Sequence, residues 1–269
     1  MLIVPAILAG LIAGVFGLGG GVVIVPAVYY VLTGMGLASE LAMSMSIATS
    51  LLTIVVTGFS SALAHARLGH VDTGLLKVWV LPLVGGAILG SVLVARYRTP
   101  SLIAFFGLFL WLVALLNVVM QRRGHLVCGG ATDKLSVRLT ALLCVFGVGG
   151  VSTLAGVGGG TLSVPLLKFQ GRGAHTAIGT SAAMGFVLAL VASINMLFWG
   201  AADEGRPPGT LGLIYLPALV VILPCTILLA PIGALIGKKI SAGVLDKLFV
   251  LLLLVVGAKM MLSGIRALV

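Results

Sequence analysis

Eight apolar runs, at about residues 4–32, 41–65, 73–95, 101–121, 137–167, 176–200, 210–237 and 244–264, fill most of this 269-residue chain. Each is long enough, at about twenty residues or more, for an α-helix to cross a hydrocarbon core of about 30 Å. A barrel would instead need segments of about ten residues that alternate polar and apolar. Charged residues make up 8% of the chain, against about 25% in a soluble domain, so no folding of these runs could cover a water-facing surface. Disorder is excluded by the same composition. The expected fold class is an all-α integral membrane protein, one membrane domain over 1–269.

Within that domain the sequence repeats. A polar stretch, RRGHLVCGGATDK from Arg122 to Lys134, separates two sets of four runs. The first run of one set contains GLGGGVVIVP, Gly17 to Pro26, and the first run of the other contains GVGGGTLSVP, Gly156 to Pro165, an offset of 139. In the next run of each set, Ile47-Ala48-Thr49-Ser50 echoes Ile178-Gly179-Thr180-Ser181, an offset of 131. Two matches in the same order predict a duplication: repeat one over 1–124, a linker over 125–136 and repeat two over 137–269.

Three consecutive glycines, each costing about 1 kcal/mol of helix stability relative to alanine, favour an interrupted helix. The piece before the first triplet, residues 4–16, would be only about 20 Å long at 1.5 Å per residue. Such a segment either crosses with a break or enters and turns back, and charge helps to choose. With eight full crossings, Lys and Arg divide nine against seven. With both broken segments re-entrant they divide eleven (Arg67, Lys77, Arg122, Arg123, Lys134, Arg138, Lys168, Arg172, Lys238, Lys239, Lys247) against five (Arg96, Arg98, Arg206, Lys259, Arg266). The richer side is expected to be cytoplasmic. The expectation is therefore two inverted repeats, each a glycine-interrupted re-entrant segment plus three transmembrane helices, with both termini outside. No Lys or Arg precedes the first apolar run, so that run is expected to be retained rather than cleaved.

The breaks are where chemistry is expected. Unwound backbone in a bilayer must be buried in protein or line a polar cavity. The helices resuming near Val22 and Thr161 begin with N–H groups that lack intrahelical partners, at the positive end of the helix dipole. Two such ends meeting across a pseudo-twofold would bind an anion without a buried cation. The candidate substrate-binding residues are Gly19, Gly20 and Gly21 in the first break and Gly158, Gly159, Gly160 and Thr161 in the second. Thr49, Ser50, Thr180 and Ser181 would add hydroxyls, although such hydroxyls also commonly bond back to the i−4 carbonyl. Asn195 reads equally as interhelical glue or as a pore residue.

The remaining inventory is thin. Glu40, Asp72, Asp133, Asp203, Glu204 and Asp246 all fall in or beside connections, so no carboxylate occupies mid-membrane for an ion relay. His65, His70 and His175 lie near span ends and read as interface histidines. Cys128, Cys144 and Cys225 form no C-x-x-C pair. No H-E-x-x-H or G-x-S-x-G motif occurs, so no catalytic residue, metal site or cofactor is expected. The net charge of +10 comes from residues scattered between spans, as topology signals and lipid contacts rather than a nucleic-acid surface. Lys168 and Arg172 are the best candidates for electrostatic capture of an anion.

With these motifs the chain resembles the TauE/SafE (TSUP) family of sulfite and organosulfur anion transporters. The residues carrying the likeness are Gly17–Pro26, Gly156–Pro165, Ala48–Ser50, Gly179–Ser181 and the loop RLGHVD from Arg67 to Asp72. The second half has WGAADEGRPPG in place of that loop, so the two membrane faces need not be equivalent. The resemblance implies a multi-pass carrier in the cytoplasmic membrane for sulfite, thiosulfate, a sulfonate or a small carboxylate. Membrane lipid is the other expected partner, and a homodimer stays open. A monovalent anion gains about 2.3 kcal/mol per 100 mV on leaving an inside-negative cell, so export could run uncoupled. The competing readings are a membrane assembly or chaperone subunit that carries no solute, and an anion channel.

Overall fold

The computed structural model describes residues 3–16, 20–97, 99–123, 135–199 and 205–268. Ten helices account for almost all of them: α1 (Ile3–Phe16), α2 (Gly21–Gly34), α3 (Ser39–Arg67), α4 (Thr73–Arg96), α5 (Ser101–Arg123), α6 (Leu135–Leu154), α7 (Gly160–Phe169), α8 (Ala174–Trp199), α9 (Leu216–Lys239) and α10 (Ala242–Leu268). A two-stranded antiparallel hairpin, β1 (Thr210–Leu211) and β2 (Ile214–Tyr215), precedes α9. Among the described residues, five helices are long and apolar enough to cross a membrane. The protein is an all-α integral membrane protein. The expected linker over 125–136 falls largely outside the described residues.

Gly20 and Gly21 of the first triple-glycine run stand at the start of α2, and residues 155–159, with Gly158 and Gly159 of the second, separate α6 from α7. The resuming helices begin at Gly21 and Gly160, each one residue earlier than the sequence suggests. The breaks are not identical in shape. Gly20, before α2, has φ 77, a left-handed conformation that a side chain disfavours, while the equivalent Gly159 has φ −49. Pro26 and Pro165 sit inside α2 and α7.

Packing interleaves the halves. The helix before the first break, α1, lies on α9, and its counterpart α6 lies on α4. Likewise α3 packs on α8 and α5 on α10, so each contact has a partner obtained by exchanging the halves. Helix α3 runs antiparallel to α8. Gly58 faces Phe186, whereas His70, just beyond the end of α3, lies against Gly179 near the start of α8. Glycines let these backbones approach closely. A methyl at Gly10 would lie 2.6 Å from the Cys225 carbonyl oxygen, and one at Gly107 would lie 2.7 Å from that of Gly257. Apolar side chains cover the outer faces of the spans, including Leu81, Leu143, Phe198 and Val220.

Candidate functional site

The start of α2 and the middle of α3 meet the second break through residues more than a hundred positions away in sequence. Ser50 Oγ donates to the Gly156 carbonyl oxygen at 2.8 Å. A methyl at Gly21 would lie 2.7 Å from that same oxygen and 3.0 Å from Val157 Cα. Gly156 has φ +62, and a methyl there would lie 3.0 Å from Ile47 Cα. Gly158 lies against Ile54, and Gly159 against Gly185. The start of α2, the middle of α3 and the second break thus form one close-packed junction. Gly21, Gly158 and Gly159 all belong to it, Gly20 caps α2 just before it, Gly160 opens α7, and Gly19 lies outside the described residues.

Among the described residues, every buried polar side chain is Ser or Thr, and no charged side chain is buried. Burial of hydroxyls without partners is costly, so their bonds are informative. Thr49 Oγ1 donates to the Met45 carbonyl at 2.7 Å and accepts the backbone N–H of Tyr215 at 3.0 Å. Thr180 Oγ1 accepts the backbone N–H of Asp72 at 2.9 Å. These threonines are the duplicated pair, and each receives an amide from the loop of the opposite half. Asp72 follows α3 and Tyr215 follows α8, so the two loops sit at opposite ends of the antiparallel α3–α8 pair. Ser181 is buried on α8 beside Thr180. Asn195 Nδ2 donates to Ser91 Oγ at 2.6 Å, joining α8 to α4 as glue.

The loop RLGHVD is held several times over. The His70 ring stacks on His175 with centroids 5.1 Å apart and lies 5.8 Å from that of His65. Asp72 accepts the Leu75 N–H at 2.9 Å as the N-cap of α4 and pairs with Arg172 at 2.7 Å. Arg172 is thus engaged with a carboxylate. The bridge is 44% and 19% exposed on its two sides, where a pair contributes at most about 1 kcal/mol. Loss of an N-cap costs about 1 kcal/mol. Asp72→Ala is therefore expected to lower the apparent melting temperature of detergent-solubilised protein more than Arg172→Gln does. Equal shifts would mean that the bridge, not the cap, holds the loop.

Sequence reasoning missed Tyr215 and Asp72 as partners of the threonines. The loops supplying them share only a Leu-Gly three residues before the amide, Leu68-Gly69 and Leu211-Gly212, each glycine at positive φ, and backbone amides carry no residue signature. It also missed the hydroxyls of Ser152 and Ser163, which with Thr161 are buried beside the second break and have no hydrogen-bond partner.

Comparison with known proteins supplies the class. The family model described as sulfite exporter TauE/SafE matches residues 2–260. The chain belongs to that family. A "probable membrane transporter protein" of Haemophilus influenzae is 30% identical over 95% of both chains, and the "probable membrane transporter protein YunE" of Bacillus subtilis is 25% identical over 98% of both. Another "probable membrane transporter protein", from Methanocaldococcus jannaschii, is 24% identical over 90% of this chain and 87% of its own. No solved structure matches. As a TauE/SafE member, the protein is a multi-pass membrane transporter and not an enzyme. The junction described above lies at the motifs on which the family resemblance rests.

Proposed function

We propose that this TauE/SafE protein is an alternating-access carrier that exports small anions such as sulfite or organosulfonates across the cytoplasmic membrane. The anion sits near mid-membrane where the two glycine breaks meet. The observation that carries this reading is the Ser50–Gly156 bond, with Gly21 closed against the same carbonyl, because it brings the duplicated motifs of both halves to one point. Helix ends there offer positive dipole without a buried cation.

The inverted arrangement has support in the packing. Single crossings by α3, α4 and α5, together with α8 antiparallel to α3, favour an α6–α7 pair that begins and ends on one side. In this reading the pair is re-entrant, and the charge distribution favours the cytoplasm for that side and the outside for both termini. The two loop amides on Thr49 and Thr180 then close opposite faces, so the structure reads as occluded. Opening one face breaks one of these bonds and leaves the other.

A thermal-shift screen across sulfite, thiosulfate, sulfoacetate, sulfolactate and short carboxylates tests the reading, paired with flux in vesicles under an imposed potential. Stabilisation by a few small anions and saturable flux without a proton or sodium gradient are expected. Flux that never saturates would favour a channel, and no stabilisation by any anion would favour an assembly subunit.

A further inference from the structure

The loop that Thr180 holds also gathers three titratable rings. His65, His70 and His175 come from the end of α3, the loop itself and the start of α8. Ring centroids lie 5.8 Å apart for His65 and His70 and 5.1 Å apart for His70 and His175, whose planes stack at 27°. The Nδ1 atoms of His65 and His70 are buried and have no hydrogen-bond partner. The backbone of His70 is fixed from both sides. Its N–H bonds the His65 carbonyl oxygen at 2.9 Å, and a methyl at Gly179 would lie 2.5 Å from its own carbonyl oxygen. Two residues on, the Asp72 N–H reaches Thr180 Oγ1 at 2.9 Å. Rings and latch thus belong to one short loop.

The opposite loop is built on the same frame without the rings. Gly69 has φ 70 and Gly212 has φ 60, and each precedes by three residues the amide that a threonine accepts. In that register His70 corresponds to Leu213. The 131-residue offset between Thr49 and Thr180 pairs His65 with Met196 and His175 with Ser44. Leu213, Met196 and Ser44 do not titrate.

Protonation has a defined consequence here. A neutral imidazole can leave Nδ1 bare and carry its proton on Nε2, whereas an imidazolium donates from both nitrogens. With the loop closed, a charged Nδ1–H at His65 or His70 would be buried without an acceptor, which is costly. Neighbouring charges offer no relief. At this end of the adjacent elements the described charged residues are Arg67, Lys77, Lys168, Arg172 and Asp72. Only Asp72 is acidic, and its two oxygens are engaged by the Leu75 N–H and by Arg172. A proton on either ring therefore favours a form in which the loop has lifted and Nδ1 meets water. The lifted form binds more protons, so falling pH opens the gate and rising pH closes it.

We infer that the loop over residues 68–72 is a proton-operated gate: protonation of His65 and His70 releases Asp72 from Thr180 and opens that face, while the loop closing on Thr49 ignores pH. The inference rests on the two-gate carrier reading and supplies its regulation. The proton enters and leaves on one face, so flux still needs no proton gradient.

The test uses full-length protein with the native cysteines replaced by serine and one buried reporter, Ala177→Cys near this loop or Leu213→Cys in the other. Labelling by an impermeant maleimide is followed from about pH 7.5 to about pH 5.5, the interval in which histidine changes charge. The ratio of the two reporters at each pH cancels the titration of the thiol itself. A ring that must be neutral in the closed loop shifts the balance about tenfold across that interval. The Ala177→Cys to Leu213→Cys ratio is therefore expected to rise about tenfold or more in acid, and to stay flat when His65→Gln, His70→Gln and His175→Gln are combined. A ratio independent of pH with the histidines intact, or one that rises equally in the triple variant, would overturn the inference. The first comparison needs no histidine substitution, so it stands even where the triple variant fails to fold. If Thr49→Val and Thr180→Val expose the same reporter, the two-gate reading fails and this gate with it. Separate exposure with a flat pH response removes the present inference alone.

Discussion

Gly21→Ala is expected to abolish saturable anion flux and to lower the apparent melting temperature clearly. The added methyl would sit 2.7 Å from the Gly156 carbonyl oxygen and 3.0 Å from Val157 Cα, both backbone atoms that cannot rotate away. Overpacking of this kind costs about 1–3 kcal/mol. Relief would require α2 to withdraw from the second break, which separates the two halves at the point where the anion is proposed to bind. Gly147→Ala is the matched control, because a methyl there meets nothing within 4 Å and alanine favours the helix by about 1 kcal/mol. That variant should transport normally and melt no lower than wild type. A Gly21→Ala protein with wild-type flux would mean that the junction of the breaks is not the transport site.

The second large effect concerns the loop amides. Thr49→Val keeps the side-chain shape but removes the acceptor of the buried Tyr215 N–H, and Thr180→Val does the same for Asp72. An amide left unpaired costs about 1–3 kcal/mol, which shifts a two-state balance by about 5- to 150-fold. The Tyr215 bond is buried and the Asp72 bond partly so, hence Thr49→Val should act more strongly. Buried reporters can tell the faces apart: Leu213→Cys within one loop and Ala177→Cys near the other, with the native cysteines replaced by serine. An impermeant maleimide should label Leu213→Cys faster in the Thr49→Val background and Ala177→Cys faster in the Thr180→Val background. Labelling of the same reporter by both variants would sink the two-gate picture.

Much of this was legible in the sequence because its signals are local. Span-length apolar runs gave the class, and triple glycines at matching positions marked where helices end. Convergence of those ends was an expectation of symmetry, and Ser50 of α3, which bonds the Gly156 carbonyl, is separated from it by 106 positions. Thr49 and Thr180 were visible as a duplicated pair, yet their amide partners lie in RLGHVD and GTLGLIY, loops that share little more than a Leu-Gly too common to notice. His65 and His70 could not be joined to His175 by any periodicity. Ser152 and Ser163 resembled the back-bonded hydroxyls common in apolar helices. What distinguishes them is a hydrogen bond they do not make, and no residue pattern records that.

The seating of α1 on α9 also bears on how the chain is made. Roughly two hundred residues separate Phe16 from Leu216, so the ribosome must synthesise most of the polypeptide before the opening helix meets the neighbour it packs on. Until then α1, apolar along its described length, must wait at the insertion machinery or against lipid without the neighbour it packs on. Truncation within α9 would strand it there, which makes the last fifth of the chain as necessary to α1 as to the end.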